Sequence, residues 1–183
     1  MPNVFVRRIA LATVALPLLL GSCADDPPVP QMPETSSPTS EPTETESTSA
    51  PEPWDEQTED GAVAFAEHWI DLLNDARLSS ATEPVAAAST PECDSCSNII
   101  DIIDQWQSDG IVYTSKPWTI DQVAVSRSER DSAEIGLRIF RPREVLTEPD
   151  GTAVRNAGSH ATYVATVEWR RGAWLMHELV IPE

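Results

Sequence analysis

The chain has 183 residues, 30 of them acidic and 12 basic, for a formal net charge of −18 and an isoelectric point near 4.3. That balance excludes non-specific attachment to nucleic acid or anionic lipid through a basic face, and the length leaves room for one domain, barely two. Half of the 16 prolines crowd into residues 27–53, so the composition changes sharply along the chain.

Residues 1–22 carry a short basic segment (Arg7, Arg8) and then an apolar run from Ile9 to Leu20. A run of about a dozen residues is too short to span a hydrocarbon core of roughly 30 Å, but it suits the apolar region of a signal peptide. It ends in Leu20-Gly21-Ser22-Cys23, which resembles the bacterial lipobox. The resemblance implies cleavage after Ser22 and a diacylglycerol on the Cys23 thiol; the competing reading is an ordinary secretory signal with an incidental cysteine. Two acyl chains anchor stably where one does not. The expected location is therefore the outer face of the cytoplasmic membrane, reached through lipidated Cys23.

From Ala24 to Asp60 there are 8 prolines, 11 acidic residues, 11 serines or threonines and no basic residue. Val29, Met32 and Trp54 are too few large apolar side chains to offset the entropy of ordering. Residues 23–57 accordingly read as a lipidated cysteine plus a disordered acidic tether, extended by charge and proline to on the order of 110 Å at about 3.1 Å per residue. Serines and threonines near proline also permit O-glycosylation on composition alone.

The folded part is expected over residues 58–183. Asp60 is placed to cap a helix with apolar Ala62, Val63, Phe65, Ala66, Trp69, Ile70, Leu72, Leu73 and Ala76 on one face. Glu67, His68, Asp71, Asn74 and Asp75 fall on the other. A short second helix follows Thr82, with Glu83 and Pro84 in its first turn. A third starts near Asp94, carries Ile99, Ile102, Ile103 and Trp106 on one side, and stops at Asp109-Gly110.

After Gly110 the period becomes two. Trp118, Ile120, Val123 and Val125 make a strand whose phase slips near Asp121-Gln122, as a bulge requires. Ala133, Ile135, Leu137 and Ile139 alternate with Glu134, Gly136, Arg138 and Phe140 in a half-buried strand. Ala161–Trp169 and Ala173–Ile181 form a hairpin about Arg170-Arg171-Gly172. The connection 141–158, with Pro142, Pro149 and Asp150-Gly151, reads as an exposed loop. About three helices packed on a curved antiparallel sheet of about four strands make the fold class α+β.

The run from Gly61 to Ala76 followed by Cys93-Asp94-Ser95-Cys96 resembles an actinobacterial lipoprotein family, domain of unknown function 6318, over about residues 58–183. The order of helices and meander is also similar to the nuclear transport factor 2-like fold, a cone whose sheet wraps around helices. Neither resemblance implies a catalytic residue or a cofactor.

With Cys23 lipidated, Cys93 and Cys96 remain as an even pair in an oxidising compartment, which favours a disulfide. Cys-x-x-Cys at a helix N-terminus is also the redox-active arrangement, and a zinc site would need about four ligands. His68, Asp71 and Asp75 share a helix face, either as a metal ladder or as a solvated surface. Trp69, Trp106, Trp118, Trp169 and Trp174 occupy apolar-phase positions, either filling the core or lining a pocket between sheet and helices.

The expectation is a surface-anchored, non-enzymatic binding or scaffold module, with a small apolar ligand or an envelope protein as partner and no nucleic acid. The alternatives are a structural spacer or a small enzyme in the cone, either a hydrolase or isomerase or a Cys93/Cys96 thiol oxidoreductase. Replacing Cys23 by Ser should move the protein from the membrane fraction to the soluble one. Metabolic fatty-acid labelling that still marks the Cys23→Ser chain would overturn the lipoprotein reading.

Overall fold

The computed structural model describes residues 51–182. Residues 1–50, on which the expected signal peptide, Cys23 and most of the expected tether fall, lie outside the described residues.

The first helix, α1 (Glu59–Ser79), is capped by Thr58, whose hydroxyl accepts the Gly61 amide at 3.0 Å; Asp60 lies inside the first turn rather than at the cap. Ala62, Phe65, Ala66, Trp69, Ile70, Leu73 and Ala76 are buried along one stripe. The stripe continues through Asn74 and Arg77, both buried, so Asn74 belongs to the inner face and not to solvent. A short helix α2 (Glu83–Ala87) and a longer α3 (Asp94–Ser108) follow, and Gly110 ends α3 at φ +70°. On α3 only Cys96 and Ile103 are fully buried, and Ile102 is 48% exposed.

Four strands form the main antiparallel sheet in the order β2 (Thr119–Ser128), β3 (Ser132–Arg141), β6 (Ser159–Arg170), β7 (Ala173–Val180), after a short β1 (Val112–Thr114). Ala133, Ile135, Leu137 and Ile139 of β3 face inward, as do Tyr163, Ala165 and Val167 of β6. The β2–β3 register shifts between Ile120 and Gln122, where the sequence phase slips. A two-residue turn with Arg171 at φ 56° and Gly172 at φ 88° closes the β6–β7 hairpin. The free edge of β7 is partly covered by the α2–α3 connection, where Met176 donates to Ala88 O at 2.9 Å and Thr90 donates to Met176 O at 2.8 Å.

Residues 141–158 are not a simple loop. They contain β4 (Glu144–Thr147) and β5 (Ala153–Asn156), which pair with β1 in a second, three-stranded antiparallel sheet ordered β1-β4-β5. This hairpin prolongs the β3–β6 ladder past a bend at Pro142-Arg143 and Ala157-Gly158. Pro142 has no amide to donate, which breaks the ladder there. A Cβ on Gly158 would stand 3.2 Å from Arg141 O and 3.3 Å from Arg143 N, so a larger residue there would push the two backbones apart by a few tenths of an ångström. The result is the cone-shaped α+β architecture that the resemblance implies, with a smaller sheet at its wide end.

The packed region also begins earlier than residue 58. A 3₁₀ turn, Pro53–Asp55, lies against α1, and Trp54 stacks on His68 with ring centroids 4.0 Å apart. Trp174 Nε1 donates to Glu56 O at 2.8 Å, and Gln57 Nε2 donates to Asp131 Oδ1 at 2.6 Å. The Glu56 carbonyl occupies the space that a Cβ on Gly61 would need. The last residues assigned to the tether are thus part of the domain, because one large apolar ring close to an amphipathic helix finds a partner there.

Trp54→Ala should lower the unfolding free energy by about 1–3 kcal/mol, less than a fully buried tryptophan would cost. Relative to a chain beginning at residue 51, one beginning at residue 59 should melt several degrees lower. Equal melting temperatures would show that residues 53–57 add nothing to stability.

Candidate functional site

The last turns of α1, the inner side of α3 and the bend between the two sheets leave a cavity of about 370 Å³. Its apolar wall is Leu73, Ile99, Ile102, Ile103 and Trp106. Trp118, Arg141, Pro142, Glu144, Asn156 and Ser159 border the rest, with Arg77. The cavity is partly open to solvent, and Ile102 in its apolar wall is half-exposed.

Asn74 sets the position of Trp118. Its carboxamide oxygen accepts the Trp118 amide at 2.8 Å, and its nitrogen donates to the Trp118 carbonyl at 3.0 Å. A single buried side chain thereby satisfies both backbone groups at the start of β2. Arg77, one turn further, is 9% exposed and pairs with Glu144 Oε2 at 2.7 Å. Its guanidinium lies over two rings, 4.1 Å from the Trp118 centroid and 4.6 Å from that of Tyr113. Trp106 stacks on Tyr113 at 5.2 Å, which joins α3 to the small sheet.

Glu144 receives three donors: Arg77 and Tyr113 OH (3.0 Å) on Oε2, and Asn156 Nδ2 (2.9 Å) on Oε1. Burial works to raise its carboxyl, but the bonds from Asn156 and Tyr113 and the Arg77 charge outweigh it and hold the group below the ordinary carboxylate range. Burial pulls the Arg77 guanidinium below its ordinary value against the opposing pull of Tyr113 and Glu144. Burial likewise raises the Tyr113 phenol. A carboxylate so fully engaged is suited to holding structure and poorly suited to taking a proton from a substrate. Arg141 donates to Tyr163 OH at 3.2 Å and to Ser159 Oγ at 3.1 Å. Its Nε and the Trp118 Nε1 are buried without an acceptor.

Of the five tryptophans singled out by phase, Trp106 and Trp118 line this cavity. Trp69 is fully buried in the core and donates to Ser89 Oγ at 3.0 Å. Trp169 and Trp174 pack edge to face at 5.3 Å elsewhere, and Trp174 borders a separate recess with Trp54 and Phe65. Those three therefore do not line this cavity. Sequence phase selects large apolar residues near the core but does not say which gap in it stays open.

Cys93 and Cys96 lie at the N-terminus of α3 as a disulfide, with Cα atoms 5.2 Å apart. Both residues are buried, at 1% and 0% exposure, whereas a redox-active pair needs an attackable sulfur. The His68 ladder does not assemble: His68 is taken up by Trp54, Asp71 and Asp75 are exposed, and no metal-binding cluster occurs among the described residues. His160 pairs with Asp121 at 3.0 Å, and His177 contacts Thr90 Oγ1 at 3.2 Å.

Arg77, Asn74, Tyr113, Arg141 and Glu144 were not picked out by sequence. Arg77 left one signal, since it extends the Ala66, Ile70, Leu73 stripe by four residues. Glu144 and Arg141 lay at the edge of a segment without periodicity.

Three helices packed on an antiparallel sheet, with a second small sheet and a cleft where the two sheets meet, define an α+β domain. The chain belongs to the family of unknown function DUF6318, whose model matches residues 47–180. Among solved structures it is similar to the intermembrane space region of the chloroplast protein ARC6, at 13% identity, 66% coverage of this chain, 92% of that chain and a TM-score of 0.52. Weaker likenesses include a protein with a cystatin-like fold from Caulobacter vibrioides (12% identity, 67% and 90% coverage, TM-score 0.45). Another is the beta subunit of benzoate 1,2-dioxygenase from Burkholderia mallei (9% identity, 68% and 89% coverage, TM-score 0.47). At such identities a likeness concerns fold alone. No curated protein matches the chain in sequence.

Glu144→Gln should lower stability at neutral pH by about 2–4 kcal/mol, because Arg77 stays buried without its counter-charge. The folded Glu144 carboxyl is held below its ordinary 4.5, so its contribution is complete above that pH and is lost as pH falls through the lowered value. Urea midpoints of the two proteins should therefore converge in acid. A Glu144→Gln protein as stable as wild type at pH 7 would show that the pair does not hold the small sheet.

Proposed function

We propose that this protein is a lipid-anchored envelope protein whose α+β domain binds a small, mainly apolar molecule in the cleft between α1, α3 and the small sheet. The observation that carries the reading is the cavity of about 370 Å³, apolar on its helical wall and bordered by polar groups where the sheets meet. A volume of this order lies within the range of small-molecule sites, and an apolar body with a few convergent polar groups is their usual composition. The Leu20-Gly21-Ser22-Cys23 sequence and the acidic proline-rich stretch support the anchor and the spacer.

A binding role accords better with the site than a catalytic one. Glu144 is fully engaged by Arg77, Tyr113 and Asn156, no histidine or cysteine borders the cleft, and the Cys93–Cys96 sulfurs are buried elsewhere. The test is a thermal-shift series with indole and 2-naphthol on the full chain and on Ile102→Trp, which puts a larger ring in the apolar wall. Ligand at about 100 times its Kd adds about 2.7 kcal/mol, or several degrees. A shift in wild type that disappears in Ile102→Trp supports the reading; no shift, or an equal shift in both proteins, overturns it.

A further inference from the structure

If the cleft is a small-molecule site, its charge balance points to the chemistry of its occupant. Two arginines border it, and they are not equivalent. Arg77 has Glu144 at 2.7 Å, and the Glu144 oxygens are taken up by Arg77, Tyr113 and Asn156, so this pair adds no free charge. Arg141, at the end of β3, has no carboxylate partner among the described residues. Its terminal nitrogens donate to two neutral oxygens, Tyr163 OH and Ser159 Oγ, and its Nε is buried without an acceptor. Trp118 Nε1 is a second buried donor without an acceptor, on a ring whose centroid lies 5.9 Å from Arg141 Cζ.

An uncompensated guanidinium in a chain of net charge −18 does not follow from composition. The Arg141 terminal nitrogens each have one neutral partner and a further N–H to donate, and a carboxylate matches the planar guanidinium fork best. The site's net charge of one favours a single negative charge, and Glu144 close by disfavours a second. At about 30 Å³ per water-sized group, the cavity holds on the order of a dozen non-hydrogen atoms.

We propose that the cleft takes a small amphipathic monocarboxylate. Its apolar body lies against Leu73, Ile99, Ile102, Ile103 and Trp106, and its carboxylate pairs with the terminal nitrogens of Arg141.

The test is calorimetric titration of the full chain with 2-naphthoate and with the neutral, similarly shaped 2-naphthamide. The acid should bind at least tenfold more tightly than the amide, and its affinity alone should fall as salt is added. Arg141→Gln should reduce the preference to about twofold or less, whereas Arg141→Lys should retain part of it. Melting curves establish that each variant is folded, and if Arg141→Gln is not, the Lys variant carries the comparison. Equal affinity for acid and amide, or a preference indifferent to both substitutions, overturns the anion assignment and leaves the cleft as a site for neutral ligands. Failure of both probes to bind, together with failure of indole and 2-naphthol, overturns the cleft reading as well.

Discussion

Burying Arg77 is the constraint on which the wide end of the molecule depends. Removing a guanidinium from water costs several kcal/mol unless a counter-charge, hydrogen bonds and polarisable surfaces replace the solvent. The chain supplies all three from distant segments: Glu144 from β4, the Tyr113 ring from β1 and the Trp118 ring ahead of β2. Each of these must be held in turn, Trp118 by Asn74 and Glu144 by Asn156 and Tyr113. The small sheet thus meets α1 through Arg77 and α3 through the Trp106–Tyr113 stack, and the cleft is the space left beside these contacts.

The other parts of the domain are held by apolar packing and backbone pairing. Trp54 covers His68, Trp174 reaches the Glu56 carbonyl, and the α2–α3 connection adds backbone bonds along β7. The Cys93–Cys96 bridge sits where α3 begins, and Ser95 Oγ accepts the Leu179 amide at 3.0 Å nearby. These contacts fix the start of α3 against the sheet. The same helix ends beside the cleft with Ile102 and Trp106, so its inner face serves the core at one end and the cavity at the other.

The bend in the β3–β6 ladder connects the two regions. A sheet that continued straight would carry Arg141 and Glu144 along one ladder. Pro142 removes a ladder bond, and Gly158 lets the backbones approach. The sheet then turns so that Glu144 meets Arg77 while Arg141 remains beside Trp118. Two strand-adjacent residues acquire different roles from a single change of direction.

Much of the fold was legible in the residues themselves. The stripe on α1, the short α2, the start and stop of α3, the period-two strands and the bulge near Asp121-Gln122 all follow from local periodicity and turn chemistry, which act over a few residues. The β4–β5 hairpin was not legible, because four-residue strands flanked by Pro142 and Pro149 carry almost no period, and only Asp150-Gly151 marked the turn. The capping residue and the inner position of Asn74 were misread for a related reason: polar side chains were taken to face water, and here they satisfy backbone groups.

For the site, the sequence alone singled out five tryptophans at apolar-phase positions, of which Trp106 and Trp118 are walls of the cavity. It also determined the pairing potential of Cys93 with Cys96, since closure across two intervening residues is a local matter. Which tryptophans line a space, which arginine is neutralised and which is left without a partner were decided only by tertiary structure. Arg77 and Glu144 are 67 residues apart and Asn74 and Trp118 are 44 apart. Their meeting depends on where the sheet bends and how the helices cross it, and pairwise electrostatics at such separations leaves no mark on the pattern of either segment.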